Sequence, residues 1–184
     1  ELGKYPDVPC GSAPFFYFGN PGPGRNGSLT GTLTLFNNLT LSTLFVYVGD
    51  TRRFNTTEWY RDKTQSSSER AVQMRLGLLD PIEAAGIQLV DVEKTWFEND
   101  DFFRMRDISL SYTLPGSLVD RVGVSRASLT VSGTNLWTPW VHPTFRASGL
   151  DPEAKKPSTN PNYNWQQTQA PLPASLVTVL RVTF

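Results

Sequence analysis

The sequence predicts an all-β fold of about six antiparallel strands, with long loops and one short helix. Three observations lead to this prediction. Apolar and polar residues alternate with period two in at least five segments, which places every second side chain on one face of a strand. The polar positions of these segments hold mainly Ser and Thr. The 14 Gly and 14 Pro residues favour many turns over long helices.

The first strong pattern predicts a hairpin over residues 28–48. Leu and Thr alternate over residues 28–36, and a second alternating run starts at Leu39. Between the two runs, Asn37 and Asn38 are turn formers that tolerate positive φ. We therefore expect two neighbouring strands joined at this Asn-Asn turn.

The same patterns divide the rest of the chain. Ser66–Glu69 offers capping residues ahead of an apolar run, which predicts a short helix that ends at Asp80–Pro81. We interpret all 184 residues as a single β-barrel segment. Its predicted parts are the hairpin over 28–48, a long loop with the short helix over 51–99, two strands over 100–136, an irregular loop over 137–173 and a terminal strand over 174–184.

Composition excludes several classes of protein. The 17 basic and 17 acidic residues balance, so there is no electrostatic reason to expect nucleic acid as a partner. Cys10 is the only cysteine, which excludes an intrachain disulfide and a multi-cysteine metal site. The longest apolar run, residues 44–48, is far shorter than the roughly 20 residues of a spanning helix. The first residues lack the pattern of a signal peptide, so we expect a chain that is processed or that starts partway through a longer one.

The two faces of the predicted strands favour a membrane barrel. Small hydroxyl residues opposite Leu are typical of a wet barrel lumen whose outer face meets lipid, whereas Lys and Glu are common on the outside of a soluble sandwich. Aromatic residues near strand ends are typical of an interfacial girdle. Those residues are Trp96, Phe97, Phe102, Phe103, Trp137 and Trp140. The alternative is that they form the core of a soluble β domain.

Several segments, taken in order, resemble the C-terminal barrel region of TonB-dependent outer-membrane receptors of the SusC/RagA type. Upstream strands and loops of that family are also similar to residues of the first half, so the resemblance covers nearly the whole chain. The matching segments are Leu33–Leu39, Asn55–Trp59, Asp100–Pro115, Ser132–Trp137, Gly149–Glu153 and the closing strand that ends in Phe184.

The resemblance implies a barrel of about 22 strands with a plug in its lumen. It also implies uptake of glycans or peptides across the bacterial outer membrane, together with a surface lipoprotein partner. This sequence departs from the family pattern, because about six strands cannot close a barrel and an open edge leaves backbone groups unpaired in lipid. We therefore expect the remainder of a barrel, or other protein subunits, along its strand edges and lipid at its apolar faces.

Three interpretations stay open at this point. The first is a C-terminal barrel segment of such a receptor, located in the outer membrane. The second is a stand-alone structural subunit derived from such a segment, which docks on a larger assembly as a periplasm-facing or membrane-associated component. The third is a soluble β-rich carbohydrate-binding module.

No catalytic, cofactor or metal site is predicted. His142 is the only histidine and has no neighbouring metal ligand in the sequence. The acidic group at 98–101 lacks the spacing of a calcium loop, and the Gly-Pro segment at 19–24 lacks the Lys-Ser/Thr of a phosphate loop. The serines have no paired base, so we expect a protein that is not an enzyme.

Two sets of residues are candidates for other functions. Leu180, Val182 and Phe184 share one face of the final strand and resemble the signal by which barrel-assembly machinery recognises its substrates. Loop aromatic residues are candidates for stacking on a glycan or peptide ligand. They are Trp59, Tyr60, Trp137, Trp140 and Trp165.

Overall fold

The chain divides into two compact units, which we describe separately. The structure, a computed structural model, describes residues 12, 17, 19–65, 68–88, 96–154, 165–166 and 170–184. The first unit comprises Glu1–Gly22, Asp50–Asn99 and Ala154–Ala170, and the second comprises Pro23–Gly49, Asp100–Glu153 and Pro171–Phe184.

Eight strands and several short helices lie in the described residues. The strands are β1 (Arg25–Leu35), β2 (Leu39–Gly49), β3 (Arg52–Asn55), β4 (Phe97–Asn99), β5 (Phe102–Thr113), β6 (Arg126–Val141), β7 (Trp165–Gln166) and β8 (Ser175–Thr183). The helices are α1 (Thr56–Tyr60), α2 (Glu69–Arg75), α3 (Pro81–Gln88), α4 (Gly116–Val119) and α5 (Pro143–Arg146), with a π-helical turn at Arg61–Gln65 and a 3₁₀ turn at Asp120–Val122.

The second unit is built on one sheet of five long strands. Their order is β1-β2-β5-β6-β8, and every neighbouring pair is antiparallel. Among the described residues, β1 and β8 are the two edges of this sheet. The predicted all-β, antiparallel fold class is confirmed, and the sheet is open as expected of an incomplete barrel wall.

Strands β1 and β2 form a hairpin, and its turn begins one residue before the Asn37–Asn38 turn expected from the sequence. Leu35 pairs with Leu39, and the Asn38 amide donates to the Leu35 carbonyl at 3.3 Å. The two residues with positive φ are Phe36 (52°) and Asn37 (61°), rather than Asn37 and Asn38. Asn tolerates this conformation readily, whereas Phe adopts it rarely.

Bulges in β5 and β6 alter the simple alternation. The β2–β5 register shifts between Leu44 and Phe45, so Arg106 has no partner across the pair. The β5–β6 register shifts twice, on either side of Met105. Each bulge inserts a residue into one strand and so exchanges the two faces beyond it.

Two sequence features mark the bulged part of β6. Asn135 has a positive φ of 54°, and Pro139, which has no backbone donor, lies between Trp137 and Trp140 where the register shifts. Strand β6 passes through this bulged part and ends at Val141, five residues past the predicted boundary at 136. The predicted irregular loop over 137–173 accordingly contains the end of β6, helix α5 and strand β7.

The first unit has a smaller sheet and its own core. Strand β3 pairs antiparallel with β4 and parallel with β7. Phe54, Ile87 and Trp96 form the buried cluster, and four partly buried residues pack against it. They are Trp59, Met74, Leu79 and Phe97. The region 51–99, predicted as a loop with one helix, thus holds β3, α1, α2, α3 and β4.

The predicted capping site of the short helix is present at Ser68. Its hydroxyl accepts a hydrogen bond from the Ala71 amide at 2.9 Å, which starts α2. The same hydroxyl donates to the buried carboxylate of Asp62, which also accepts the Trp96 indole N–H at 2.8 Å. Residues 66 and 67 of the predicted cap lie outside the described residues. None of the described helices is long and apolar enough to cross a membrane.

Candidate functional site

The register of the five-stranded sheet brings most of the Leu residues of its strands to one side. Directly opposite residues in neighbouring strands share a face, so pairs such as Leu33–Leu41, Leu41–Leu110 and Leu129–Leu180 form continuous rows. We call this side the apolar face. Its aliphatic residues are Leu29, Leu33, Leu35, Leu39, Leu41, Ile108, Leu110, Leu129, Val131, Leu176, Leu180 and Val182.

The apolar face is exposed rather than packed within the unit. Leu29 is 65% exposed, Leu176 69% and Leu180 65%. Soluble monomers rarely expose contiguous apolar surface across five strands. A surface of this kind is typical of contact with lipid or with another protein.

Aromatic residues gather at one end of the apolar face. Phe45 and Phe103 stack with centroids 5.3 Å apart and planes 7° from parallel. Tyr47 pairs with Phe103, which in turn pairs with Trp140. Trp137 pairs with Met105 on the same face and is 58% exposed. We call Phe45, Tyr47, Phe103, Trp137 and Trp140 the aromatic end.

The bulge at Arg106 is what places Phe103 and Met105 on the apolar face. Without it, strict alternation from Ile108 would put Arg104 on that face and Phe103 opposite. With it, the charged side chains of the β5 N-terminal half point away from the aliphatic rows. The two faces of β5 are therefore sorted by polarity from Phe103 to Thr113.

The opposite side of the sheet, which we call the polar face, carries hydroxyl groups that pair across strands. Ser111 and Thr130 lie 2.9 Å apart. Thr134 and Ser175 lie 2.7 Å apart, which links β6 to β8. These pairs satisfy the hydroxyls without burying them in an apolar core.

An ionic cluster lies on the polar face at the same end of the sheet as the aromatic end, since Arg104 lies between Phe103 and Met105 in β5. Arg104 Nη2 is 2.8 Å from Asp151 Oδ1, and Arg104 Nη1 is 2.7 Å from Glu153 Oε2. Arg106 also pairs with Glu153, and its Nη1 donates to Asn135 Oδ1 at 2.9 Å. We call Arg104, Arg106, Asp151 and Glu153 the clamp.

The predicted aromatic ligand residues are divided between the two units. Trp59 and Tyr60 lie in α1, where their rings meet edge to face at 4.8 Å, and Trp59 packs against the core of the first unit. Trp137 and Trp140 lie within β6 on the apolar face, not in a loop. Trp165 lies in β7, where its backbone pairs with Phe54 of β3. The Trp165 side chain is not among those described.

Only some of the residues that were predicted to form an interfacial girdle lie at the aromatic end. Phe103, Trp137 and Trp140 occupy the aromatic end, but Trp96 is fully buried in the core of the first unit. Phe102 is 2% exposed and has the Arg104 guanidinium over its ring at 5.7 Å. The girdle interpretation is therefore wrong for Trp96, which is buried in the core of its own unit, and for Phe102, which the bulge places on the polar face.

The residues of the predicted assembly signal lie at the β8 edge. Leu180 pairs with Leu129 and Val182 with Ala127 on the apolar face. Phe184 follows the last residue of β8 and is 89% exposed. All three side chains are accessible in this unit.

The remaining candidates serve local structure. The His142 ring lies 2.8 Å from the Thr144 hydroxyl through Nδ1 and edge to face with Trp140. Gly19 has a φ of 121° and lies against the Arg52 side chain. No group of three or more metal-ligating side chains occurs within the ranges described above.

The fold changes the protonation of the Glu98 carboxylate. Burial raises the pKa of Glu98 to about 7, with nearby Glu58 acting in the same direction. A hydrogen bond from Asn55 Nδ2, at 3.1 Å, and the charges of Arg70 and Arg53 oppose this rise. Sequence reasoning placed Glu98 in a solvated acidic group and so missed its burial.

Comparison of the sequence with protein-family models and with curated proteins finds no match. No protein-family model matches it. No curated protein matches it either.

Comparison with solved structures does find similar folds. A chain from the structure of the RagAB peptide importer in the "open-open" state matches 88% of this chain with a TM-score of 0.58 and 19% identity. The fold is shared with part of a RagAB importer chain. The "closed-closed" state matches 80% of this chain with a TM-score of 0.52, and the structure of the RagAB peptide transporter matches 82% with 0.54, both at 19% identity. This chain spans only 16–17% of the length of those chains.

The clamp is the feature that sequence reasoning missed. Its residues lie inside segments that carry the family resemblance, but Arg104 and Asp151 are 47 positions apart, so the sequence does not show their contact. The local signal was a pair of arginines, at 104 and 106, at the entrance of a strand that is otherwise uncharged beyond Asp107.

Proposed function

We propose that this chain forms a C-terminal section of the barrel wall of a SusC/RagA-like TonB-dependent receptor in the bacterial outer membrane. Its role is non-enzymatic and belongs to the uptake of nutrients such as glycans or peptides. The observation that carries this proposal is the sorting of one five-stranded sheet into an exposed apolar face with an aromatic end and a hydroxyl-rich polar face.

The lengths of the strands support a spanning role. The five strands of the sheet have 9 to 16 residues each. A tilted transmembrane strand needs about 9–11 residues. In this proposal lipid covers the apolar face, while water and polar neighbours meet the polar face.

In this proposal, other protein strands pair with the two open edges of the sheet. Strands β1 and β8 would each pair with a strand of the remaining wall, since an unpaired edge in hydrocarbon costs several kcal/mol per exposed backbone group. A surface lipoprotein is the further partner that the family resemblance implies. The likeness to RagAB importer chains, which concerns fold alone, agrees with this assignment.

Leu180, Val182 and Phe184 would act in assembly rather than in transport. All three side chains are accessible at the β8 edge, where a barrel-assembly factor would have to reach them. Trp59, Tyr60, Trp137, Trp140 and Trp165 stay candidates for ligand contact. Trp137 and Trp140 fit an interfacial role better, because they share the apolar face.

Accessibility of neighbouring residues in β1 tests the proposal. Thr32 and Leu33 are both exposed in this unit but lie on opposite faces. Cysteine would be introduced at each position in the full-length gene product lacking Cys10, and labelled in native membranes with a membrane-impermeant maleimide. We expect the Thr32→Cys protein to be labelled and the Leu33→Cys protein to be protected.

Controls make the labelling result decisive. Both variants should react equally after denaturation, which shows that the thiols are intact. Labelling of Leu33→Cys as fast as Thr32→Cys in folded protein would reject the lipid-facing assignment and favour a soluble module. Protection of Leu33→Cys in a product of only 20.5 kDa would favour the docking subunit instead.

A further inference from the structure

The segment that follows β6 folds back against the polar face and is held there by side chains. We call residues 142–153 the strap. It starts with the His142 amide donating to the Asp101 carbonyl at 2.8 Å and continues through helix α5, where Phe145 is fully buried. Amide donors from Arg146 to Gly149 bond to carbonyls of the strap itself, not to the sheet. Side-chain contacts therefore carry much of its attachment.

The clamp connects the strap to β5. Arg104 is 5% exposed. It hydrogen-bonds to Asp151, forms an ion pair with Glu153, and donates from Nε to Thr138 Oγ1 of β6 at 3.0 Å. Glu153 binds Arg104 with one oxygen and Arg106 with the other. The Asp151 carboxylate is also bound to the backbone of the strap, because Asp151 Oδ1 accepts the Glu153 backbone amide at 2.8 Å.

The charges of the clamp depend on one another. Removing one partner of a buried pair leaves an uncompensated charge in a poorly solvated place. Glu153 serves two arginines, so its loss weakens both contacts at once. The bulge residues complete the arrangement, since Asn135 accepts from Arg106 and donates to the Pro173 carbonyl at 3.3 Å.

We propose that the clamp makes the strap a separately releasable element, which opens from the polar face while the five-stranded sheet stays folded. The position of the strap in a water-filled lumen rests on the proposed function. Its release does not, because it follows from contacts within this unit alone. In a barrel wall, a strap of this kind would change the width of the lumen beside β5 and β6.

Hydrogen exchange of the full-length gene product in detergent tests this proposal. The variant Glu153→Gln keeps the size of the side chain and removes the charge that both arginines share. We expect strap amides to exchange about tenfold faster, with β1, β2 and β8 unchanged. Asp120→Asn is the matched control, because it removes an exposed carboxylate of the same unit far from the clamp in sequence.

A milder variant keeps the proposal testable if the Glu153→Gln protein fails to assemble. Arg106 is 30% exposed, and Arg106→Lys keeps its charge while it loses the forked donor geometry. We expect a smaller acceleration confined to the strap. Arg106→Lys should add little to Glu153→Gln, because both variants weaken the same Arg106–Glu153 contact.

Three outcomes would overturn the proposal. They are unchanged strap exchange in both variants, equal acceleration in the strap and in all five strands, and failure of Arg106→Lys to assemble, which would mean that the clamp holds the sheet itself. Failure of the proposed function is distinguishable from all of these. A labelled Leu33→Cys together with a releasable strap would reject the membrane role and keep this inference.

Discussion

Glu98 shows how one buried carboxylate is tuned by its surroundings. Strand pairing places it opposite Arg53, and Asn55 donates to it, yet burial outweighs these favourable contacts and raises the pKa of Glu98 to about 7. Near neutral pH the carboxyl group is therefore divided between its neutral and charged forms. The hydrogen bond from Asn55 favours the charged form, which is why the pKa is not higher still.

This pKa predicts a pH dependence of the first unit. Because the folded state holds the proton more tightly than the unfolded state, the stabilising effect is complete below the ordinary pKa of 4.5 and is lost as pH rises through about 7. After a discount for partial solvent exposure, the loss is on the order of 1–2 kcal/mol. Urea unfolding at about pH 5 and about pH 8, followed by tryptophan fluorescence, measures it.

The variant Glu98→Gln should remove most of this difference, since Gln does not titrate. Glu69→Gln, at an exposed position in α2, should leave it in place. An unchanged pH dependence in Glu98→Gln would show that another group is responsible.

At the scale of elements, the sequence predicted the strands well because alternation is local. The Leu and Thr positions of β1 follow period two without interruption, so both faces were assigned from sequence. The bulges were not predicted, because period two does not indicate where an extra residue enters a strand. The clamp was not predicted either, since its contacts join residues 47 positions apart.

Strand β8 offers a matched pair of substitutions. Leu180 lies on the apolar face opposite Leu129, and Val179 lies on the polar face opposite Thr130. If lipid covers the apolar face, Leu180→Lys should destabilise the inserted protein by about 2–4 kcal/mol, whereas Val179→Lys should be tolerated. Urea unfolding of both variants in lipid vesicles measures the difference. Equal costs would indicate that the two faces meet the same environment.

At the scale of the whole molecule, the open edges and the exposed apolar face of the second unit both require a partner that covers them. Neither β1 nor β8 has an outer neighbour among the residues described, and their burial patterns are exposed throughout. An exposed, apolar edge strand tends to pair with another chain. The second unit thus needs partners to satisfy both its backbone and its side chains.

Residues 1–184 expressed alone should therefore not behave as a stable soluble monomer. We expect sedimentation to show large assemblies in buffer and dispersal only in detergent, and thermal unfolding to lack one cooperative transition. A monomer with a single sharp transition would contradict both membrane-associated interpretations. It would favour the carbohydrate-binding module.

The bulge at Arg106 lets β5 lose one residue without exchanging its faces. Deleting the single codon for Arg106 would remove the bulge and straighten the strand, yet it would leave Phe103 and Met105 on the side of Ile108, because strict alternation without the extra residue gives the same faces. The loss would fall on the contacts of the Arg106 side chain with Glu153 and Asn135. Deleting a neighbouring residue while Arg106 stays could be absorbed in the same way only if Arg106 moved into the regular ladder. Comparisons of related sequences therefore need to read a one-residue gap at this point as the loss of a bulge and not as an exchange of faces.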